Sequence, residues 1–369
     1  MRLLICAGGT GGGVYPALAV LENLVADHSD VQTLWVGGVG GMDADLVKKA
    51  GVTFEAIPAA GVHGVGLRRL PGNTIQVLRG FAASRKLLRR FRPDVMFFTG
   101  GYVAVPMALA GRKVPTALYI PDVEPGLALK VLARFADRII VTAEESRKYF
   151  RDQDKVVVTG YPIRSGLTAW KIEDAYRVFE FSPDLPILLV TGGSLGSLSI
   201  NQALVTALPK LLSEMQIIHL TGKRTWPQFE HIQQELPDEL ADRYRAYPYL
   251  HEKMGAAFTI ADLVLSRAGA SSLGEYPHFG IPAILVPYPY AWRYQKVNAE
   301  YLASRGAALM VKDAELSKKI IPLVSNLMRD PGRREQMRVA VRTLARPEAA
   351  KSIAQILVDL PDVKNPKRK

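Results

Sequence analysis

Two stretches of the chain read alike: Leu3-Leu4-Ile5-Cys6-Ala7-Gly8-Gly9-Thr10-Gly11-Gly12 and Ile187-Leu188-Leu189-Val190-Thr191-Gly192-Gly193-Ser194-Leu195-Gly196. Each is a short apolar run entering a glycine-rich turn and then a helical pattern. Glycines there let backbone N–H groups approach a phosphate, and the following helix N-terminus adds partial positive charge. A third pair, Gly100-Gly101, follows the apolar run 95–98. Any one pair also serves simply as a tight strand-to-helix turn, whereas three in one chain favour phosphate binding. In Ser266-Arg267-Ala268-Gly269-Ala270-Ser271-Ser272-Leu273-Gly274-Glu275, the Glu275 carboxylate has two oxygens to accept both hydroxyls of a ribose. Ser272 and Glu275 equally fit a helix capping box. Gln295 and Asn298 follow an aromatic loop and either bond sugar hydroxyls or open an ordinary helix. Arg164 either neutralises a diphosphate or is a surface arginine.

These residues need a frame that gathers them. Short apolar runs at 32–36, 95–98, 116–119, 138–141 and 156–158, then at 216–220, 263–265 and 283–286, alternate with amphipathic helical patterns, among them 15–26 and 199–215. That alternation predicts mostly parallel sheets in two βα-wound domains. The turn Gly160-Tyr161-Pro162 marks the junction, giving domains 1–161 and 162–346, with the helical pattern 347–360 long enough to pack back on the first. Parallel sheets bind ligands at the carboxyl ends of their strands, so the expected fold sets the glycine turns on either side of a cleft.

Composition narrows the chemistry. The chain has 369 residues, 48% hydrophobic and 22% charged, with a formal net charge of +12. Its length suits two domains, and its charge favours anionic partners. A single cysteine, Cys6, excludes an internal disulfide, and no Cys/His cluster points to structural zinc. The apolar start ends at Gly8, too soon for a signal peptide, and 95–110 is broken by Gly100-Gly101 and Pro106, short of a membrane span. No G-x-G-x-x-G register fits Gly8 to Gly13, no acidic residue ends the run 32–36, and no P-loop motif occurs. Nicotinamide enzymes and P-loop NTPases are therefore disfavoured.

The ordered set of motifs, Gly8 to Gly12, Gly100-Gly101-Tyr102, Gly160-Tyr161-Pro162-Ile163-Arg164, Gly192 to Gly196, Ser266 to Glu275, and Gln295 with Asn298, resembles the MurG family of GT-B glycosyltransferases, family 28. The likeness runs from the first residues to the helix after Asn298. It implies two Rossmann-like domains and inverting, metal-independent transfer of N-acetylglucosamine from UDP to a lipid-linked muramoyl pentapeptide in peptidoglycan synthesis, with no cofactor. It also implies a peripheral enzyme on the cytoplasmic face of the cell membrane. By the same resemblance Thr10, Gly11 and Gly12 face the diphosphates, Arg164 and Ser194 lie near the UDP phosphates, and the main chain at His251 holds the uracil edge. Ala270, Ser271, Ser272, Leu273, Gly274 and Glu275 wrap phosphate and ribose, and Gln295 selects the sugar. Gly13, Gly100, Gly101 and Tyr102 belong to the acceptor and phosphate loops.

Two departures fall on the acceptor side. Gly13 stands where the family usually has a histidine, and Tyr119-Ile120-Pro121-Asp122 replaces a His-Glu-Gln-Asn run. The acceptor hydroxyl must lose a proton, so a base belongs there. Asp122 is the expected base and Glu124 the lesser candidate, against the alternative that 121–126 is only a Pro/Gly turn. The departures leave open another lipid acceptor, such as a diacylglycerol, and, in other classes, a UDP-sugar epimerase or a UDP-sugar-binding protein without turnover. Between 67 and 93 lie Arg68, Arg69, Arg79, Arg85, Lys86, Arg89, Arg90 and Arg92 with no acid. Interleaved with Ile75, Leu78, Phe81, Leu88 and Phe91, they fit an anionic membrane surface or a solvated helix face. No RNA-binding or helix-turn-helix signature accompanies them, so no nucleic-acid partner is expected. Asp43-Ala44-Asp45 reads as a helix start rather than a metal site.

Overall fold

The computed structural model describes residues 1–7, 11–40, 43–59, 70–290 and 293–364. Gly8, Gly9, Thr10, Arg68 and Arg69 lie outside the described residues. The chain divides into two compact units, one formed by Met1–Arg164 with Pro347–Lys369 and the other by Ser165–Arg346.

The first unit holds seven strands, β1 (Arg2–Cys6), β2 (Gln32–Gly38), β3 (Thr53–Ile57), β4 (Val95–Phe98), β5 (Thr116–Ile120), β6 (Arg138–Val141) and β7 (Val156–Val158). They form one sheet in the order β3-β2-β1-β4-β5-β6-β7, every pair parallel. The second unit holds β8 (Ile187–Thr191), β9 (Gln216–Leu220), β10 (Tyr244–Tyr247), β11 (Leu263–Ser266), β12 (Ala283–Leu285) and β13 (Ala308–Met310), again all parallel, in the order β10-β9-β8-β11-β12-β13. Both sheets are thus wound outward in two directions from a first strand, which creates a switch point between β1 and β4 and another between β8 and β11. Ligands of open α/β sheets bind at the carboxyl side of such points.

Fifteen helices join the described strands. In the first unit they are α1 (Gly11–Asp27), α2 (Asp43–Lys49), α3 (Leu70–Phe91), α4 (Ala104–Ala110) and α5 (Leu127–Leu132). In the second they are α6 (Ser165–Thr168), α7 (Ile172–Phe179), α8 (Leu198–Leu212), α9 (Asp238–Ala241), α10 (Met254–Ile260), α11 (Glu275–Phe279), α12 (Tyr294–Ala303), α13 (Leu316–Arg329) and α14 (Pro331–Arg342). The last helix, α15 (Ala349–Lys364), returns to the first unit and packs on α1. Each sheet buries its own apolar core: Leu4, Val36, Phe98, Leu118 and Val141 in the first, Leu188, Val190, Ile217, Leu265 and Ile284 with the inner faces of α8 and α13 in the second.

Two expectations from the sequence change. Helix α1 begins at Gly11 rather than at residue 15, so Gly11, Gly12 and Gly13 form its first turn, where main-chain N–H groups have no intrahelical acceptor and a missing side chain costs little packing. Strands β3, β10 and β13 were not expected: Glu55 interrupts β3, Arg245 interrupts β10, and β13 is only the three residues Ala308–Met310.

Candidate functional site

In the second unit, β8 and β11 end side by side, Thr191 opposite Ser266. The glycine turn after β8 and the Ala270 to Glu275 segment after β11 therefore meet at the switch point. The glycines there do different jobs. A Cβ on Gly196 would lie 2.1 Å from the Thr221 carbonyl, and one on Gly222 would lie 2.1 Å from the Gly196 Cα, so these two exist for backbone contact between the β8 and β9 loops. Gly193, at φ +84, faces open space instead, with Ser194 exposed beside it. The Gly193 and Ser194 end of the turn is open, beside the N-terminus of α8, which is capped by the Ser197 hydroxyl.

Glu275 is the first residue of α11 and is half-buried. The capping box does not form: Ser272 is buried in a tight turn and its hydroxyl donates to the Gly269 carbonyl at 2.6 Å, while Gly274 occupies the cap position without a side-chain bond. Ala270 and Leu273 are buried, and Ser271 is half-buried. His251 has a left-handed backbone, φ +46, unusual for a side chain with a Cβ, and its ring stands edge-on to Tyr249 at 4.6 Å. Gln295 accepts the Tyr288 amide at 2.9 Å, tying the aromatic loop to α12. Asn298 is fully buried in α12 and donates to the Ala268 carbonyl at 3.1 Å, which secures the loop after β11.

Sequence reasoning missed Arg267. It pairs with Asp313, donates to Ser199 Oγ at 2.9 Å and to the Val286 carbonyl at 3.0 Å, and lies over the Tyr288 ring. One guanidinium thus ties together the loops after β8, β11, β12 and β13. Behind the same edge, buried His219 accepts from the Tyr244 hydroxyl at Nδ1 (2.7 Å) and donates from Nε2 to Asn201 Oδ1 (3.0 Å). Asn201 in turn donates to the Thr221 carbonyl and to Thr225. Burial pushes the His219 pKa down to about 3, which keeps the ring neutral. Nothing in the spacing of these residues announces either network, because each joins positions distant in sequence.

In the first unit, β1 and β4 lie in register with Cys6 opposite Phe98. Thr99 donates to the Gly13 carbonyl at 2.7 Å, fastening α1 to the loop that carries Gly100 (φ +138), Gly101 (φ +84) and exposed Tyr102. The Trp35 indole donates to the Ala7 carbonyl at 3.3 Å. Arg164 stacks on Tyr15, 4.0 Å from the ring centroid, two residues beyond Gly13 in α1. Asp122 is half-buried in the turn after β5, whereas Glu124 is 2% exposed and pairs with Lys130 at 3.6 Å. On α3, Gly80, Ser84 and Leu87 face inward, and Ile75, Leu78, Arg79, Arg85, Lys86, Arg89 and Arg90 are exposed. Arg90 is paired with Glu55. Among the described residues no group of three His, Cys, Asp or Glu side chains is placed to hold a metal, and no helix is long and apolar enough to cross a membrane.

The family 28 glycosyltransferase N-terminal domain matches residues 3–141 and the family 28 C-terminal domain matches 187–355. A relative in Roseiflexus sp. is 39% identical across 98% of this chain and 95% of its own length, and one in Desulforamulus reducens is 38% identical across 96% and 97%. Both are named UDP-N-acetylglucosamine–N-acetylmuramyl-(pentapeptide) pyrophosphoryl-undecaprenol N-acetylglucosamine transferase. The crystal structure of Acinetobacter baumannii MurG superposes with a TM-score of 0.76 at 27% identity, covering 97% of this chain and 99% of that one. A Neisseria meningitidis UDP-GlcNAc 2-epimerase bound to UDP-GlcNAc shares the fold, at TM-score 0.68 and 15% identity over 97% and 100% of the two chains. With two parallel α/β units of the GT-B class and likeness to such transferases over nearly its whole length, the chain belongs to glycosyltransferase family 28, in its MurG branch.

Proposed function

We propose that the chain transfers N-acetylglucosamine from its UDP conjugate, with inversion, to an undecaprenyl-diphosphate-linked muramoyl pentapeptide, converting lipid I to lipid II in peptidoglycan synthesis. It is a UDP-sugar-dependent glycosyltransferase. The observation that carries the reading is identity of 38–39% to relatives named for this transfer over nearly the full chain.

In the second unit, the open Gly193 and Ser194 turn and the α8 N-terminus take the UDP diphosphate, Glu275 takes the ribose hydroxyls, the left-handed main chain at His251 meets the uracil edge, and Gln295 meets the sugar. As the glycosidic bond to UDP breaks, the electron pair leaves with the diphosphate. Loop N–H groups of that unit meet the growing charge, so the reading needs no metal or cofactor. In the first unit, Asp122 accepts the proton of the acceptor hydroxyl as its oxygen bonds to the sugar C1. Glu124 is the poorer base, being buried and already paired with Lys130.

A peripheral position on the cytoplasmic membrane face is supported by the lipid of the proposed acceptor and by the outer face of α3. There exposed Ile75 and Leu78 adjoin Arg79, Arg85, Lys86 and Arg89, each cation contributing about 1 kcal/mol near anionic headgroups. Arg90 contributes less, because Glu55 already neutralises it. Replacing the four cations with glutamine should release the protein from anionic vesicles in a sedimentation assay; unchanged sedimentation rejects the surface.

A second reading keeps the donor and changes the acceptor to another glycolipid. Its support is Gly13, which puts no side chain where the family usually has a histidine. Radiolabelled UDP-N-acetylglucosamine offered with lipid I, with diacylglycerol and with no acceptor tests both. Sugar transfer to lipid I alone supports the first reading, and transfer to diacylglycerol alone the second. Conversion of the donor without any acceptor would instead mark an epimerase, and donor binding without turnover a binding protein.

A further inference from the structure

We propose that Thr142 is a positioning residue for Asp122 and that the Tyr119 phenol holds Thr142 in place. The inference rests on the assignment of Asp122 as base. Strands β5 and β6 pair with Ile120 opposite Val141, so Thr142, the next residue, lies beside the turn that carries Asp122. A hydroxyl has one proton to give. That of Thr142 faces the Pro121 carbonyl at 2.9 Å, with the Ile120 carbonyl at 3.2 Å. The Tyr119 hydroxyl, 2.8 Å away, therefore donates to Thr142, with the Gly160 carbonyl as a second acceptor at 3.3 Å. On the other side of Asp122, Ser146 donates to the Val123 carbonyl at 2.8 Å.

The carboxylate thus rides on a main chain pinned by a hydroxyl both before and after it. Pro121 has no N–H, so its carbonyl is the main-chain polar group available for a hydrogen bond immediately before Asp122. Tyr119 is fully buried and Thr142 is 8% exposed. Buried hydroxyls left unsatisfied would each cost about 1–3 kcal/mol, whereas this run satisfies its members in series. Burial raises the Tyr119 phenol far above its ordinary range, the Thr142 bond opposes that, and the charge of Asp122 adds to it. The carboxylate therefore lies within electrostatic reach of the relay, and the neutral phenol is a donor rather than a second base.

Thr142→Val preserves shape and removes the bond. It should lower kcat about tenfold or more, since a displacement on the order of 1 Å from a productive geometry can cost about a hundredfold. The KM for UDP-N-acetylglucosamine should not change, and the acid limb of the kcat–pH profile should move. Thr142→Ser, which keeps the hydroxyl, should restore both, and Tyr119→Phe should cost less than Thr142→Val. Thermal unfolding of each variant checks that the fold survives. If Thr142 acts through Asp122, Thr142→Val in an Asp122→Asn background has no further effect on the residual rate. Unchanged kcat and acid limb in Thr142→Val, or losses that multiply in the double variant, would overturn the positioning role while Asp122 stands as base. Full activity in Asp122→Asn alone would remove the base and the positioning role together.

Discussion

The carboxyl edges of the two sheets are built alike in topology and differently in chemistry. In the second unit, side chains hold other side chains as well as carbonyls: Arg267 grips Asp313 and Ser199 beside the Val286 carbonyl, and His219 links Tyr244 to Asn201, which reaches the Thr221 carbonyl. In the first, neutral donors mostly hold main-chain carbonyls: Thr99 on Gly13, Trp35 on Ala7, Thr142 on Pro121 and Ser146 on Val123. A carbonyl is present whatever residue bears it, so a loop anchored this way keeps its path when its side chains change. An edge wired through charged side chains is less forgiving, because losing one partner strands the other. The departures from the family pattern, Gly13 and 119–122, both fall in the carbonyl-anchored unit.

If the first unit carries the chemistry and the second the donor, substitutions should separate the two. Asp122→Asn should lower kcat by about a hundredfold or more, the range for a lost general base, and leave UDP affinity intact. Steady-state kinetics beside calorimetric titration with UDP measures both quantities, and full activity would break the division. Glu275→Gln should do the reverse, weakening UDP binding about tenfold to a hundredfold, as expected for lost hydrogen bonds to a charged group. Unaltered heats of UDP binding in that variant would take Glu275 out of the donor site.

The same contrast explains what could be read from sequence. Parallel strands buried on both faces announce themselves as apolar runs, so β1, β4, β8 and β11, the strands flanking each switch point, were legible. Strands β3 and β10, interrupted by Glu55 and Arg245, and the three-residue β13 were not. Glycine turns were recognisable as a type, but Gly193 and Gly196 differ only in what surrounds them in space: open room for one, the Thr221 carbonyl for the other. Asn298 could be read either as a sugar contact or as an ordinary helix start, and its bond to the Ala268 carbonyl, thirty positions away, was not visible. Arg267 and Thr142 were invisible in their roles because their partners lie on other strands and loops.

The wiring of the second unit should also appear in its response to acid. His219 has a folded pKa of about 3 against about 6.5 when unfolded. Between those values the unfolded state binds the extra proton, so the imidazole's contribution to stability is intact above about pH 6.5 and declines as pH falls. The slope is about 1.4 kcal/mol per pH unit. Protonation would set an Nδ1 proton against the Tyr244 hydroxyl that now donates to it. Urea unfolding at a series of pH values should show a flatter acid dependence in His219→Gln than in the unaltered protein, by one proton. Equal slopes would mean that the ring does not stay neutral.

The smallest effect is expected at the first unit's own sheet edge, where a side chain lacks the pairing seen in the second. Asp43, in the first turn of α2, is 3% exposed, and neither carboxylate oxygen has a partner in good hydrogen-bond geometry. Gly37 makes room for it, since a Cβ there would lie 2.4 Å from Oδ2. Burial raises the Asp43 pKa, with its own amide only partly offsetting the effect, and the nearby Cys6 thiol is raised by burial first and by Asp43 second. A folded pKa above the unfolded value means that the folded state holds the proton longer, so stability is lost as pH rises through that window. Asp43→Asn removes the ionisation and keeps the shape. It should therefore melt higher than the unaltered protein at pH 7, with the difference closing below about pH 4, where the unfolded carboxyl is also protonated. A variant that melts lower at pH 7 would show that this carboxylate is held by its surroundings after all, and that the first unit is wired more like the second than its hydrogen bonds suggest.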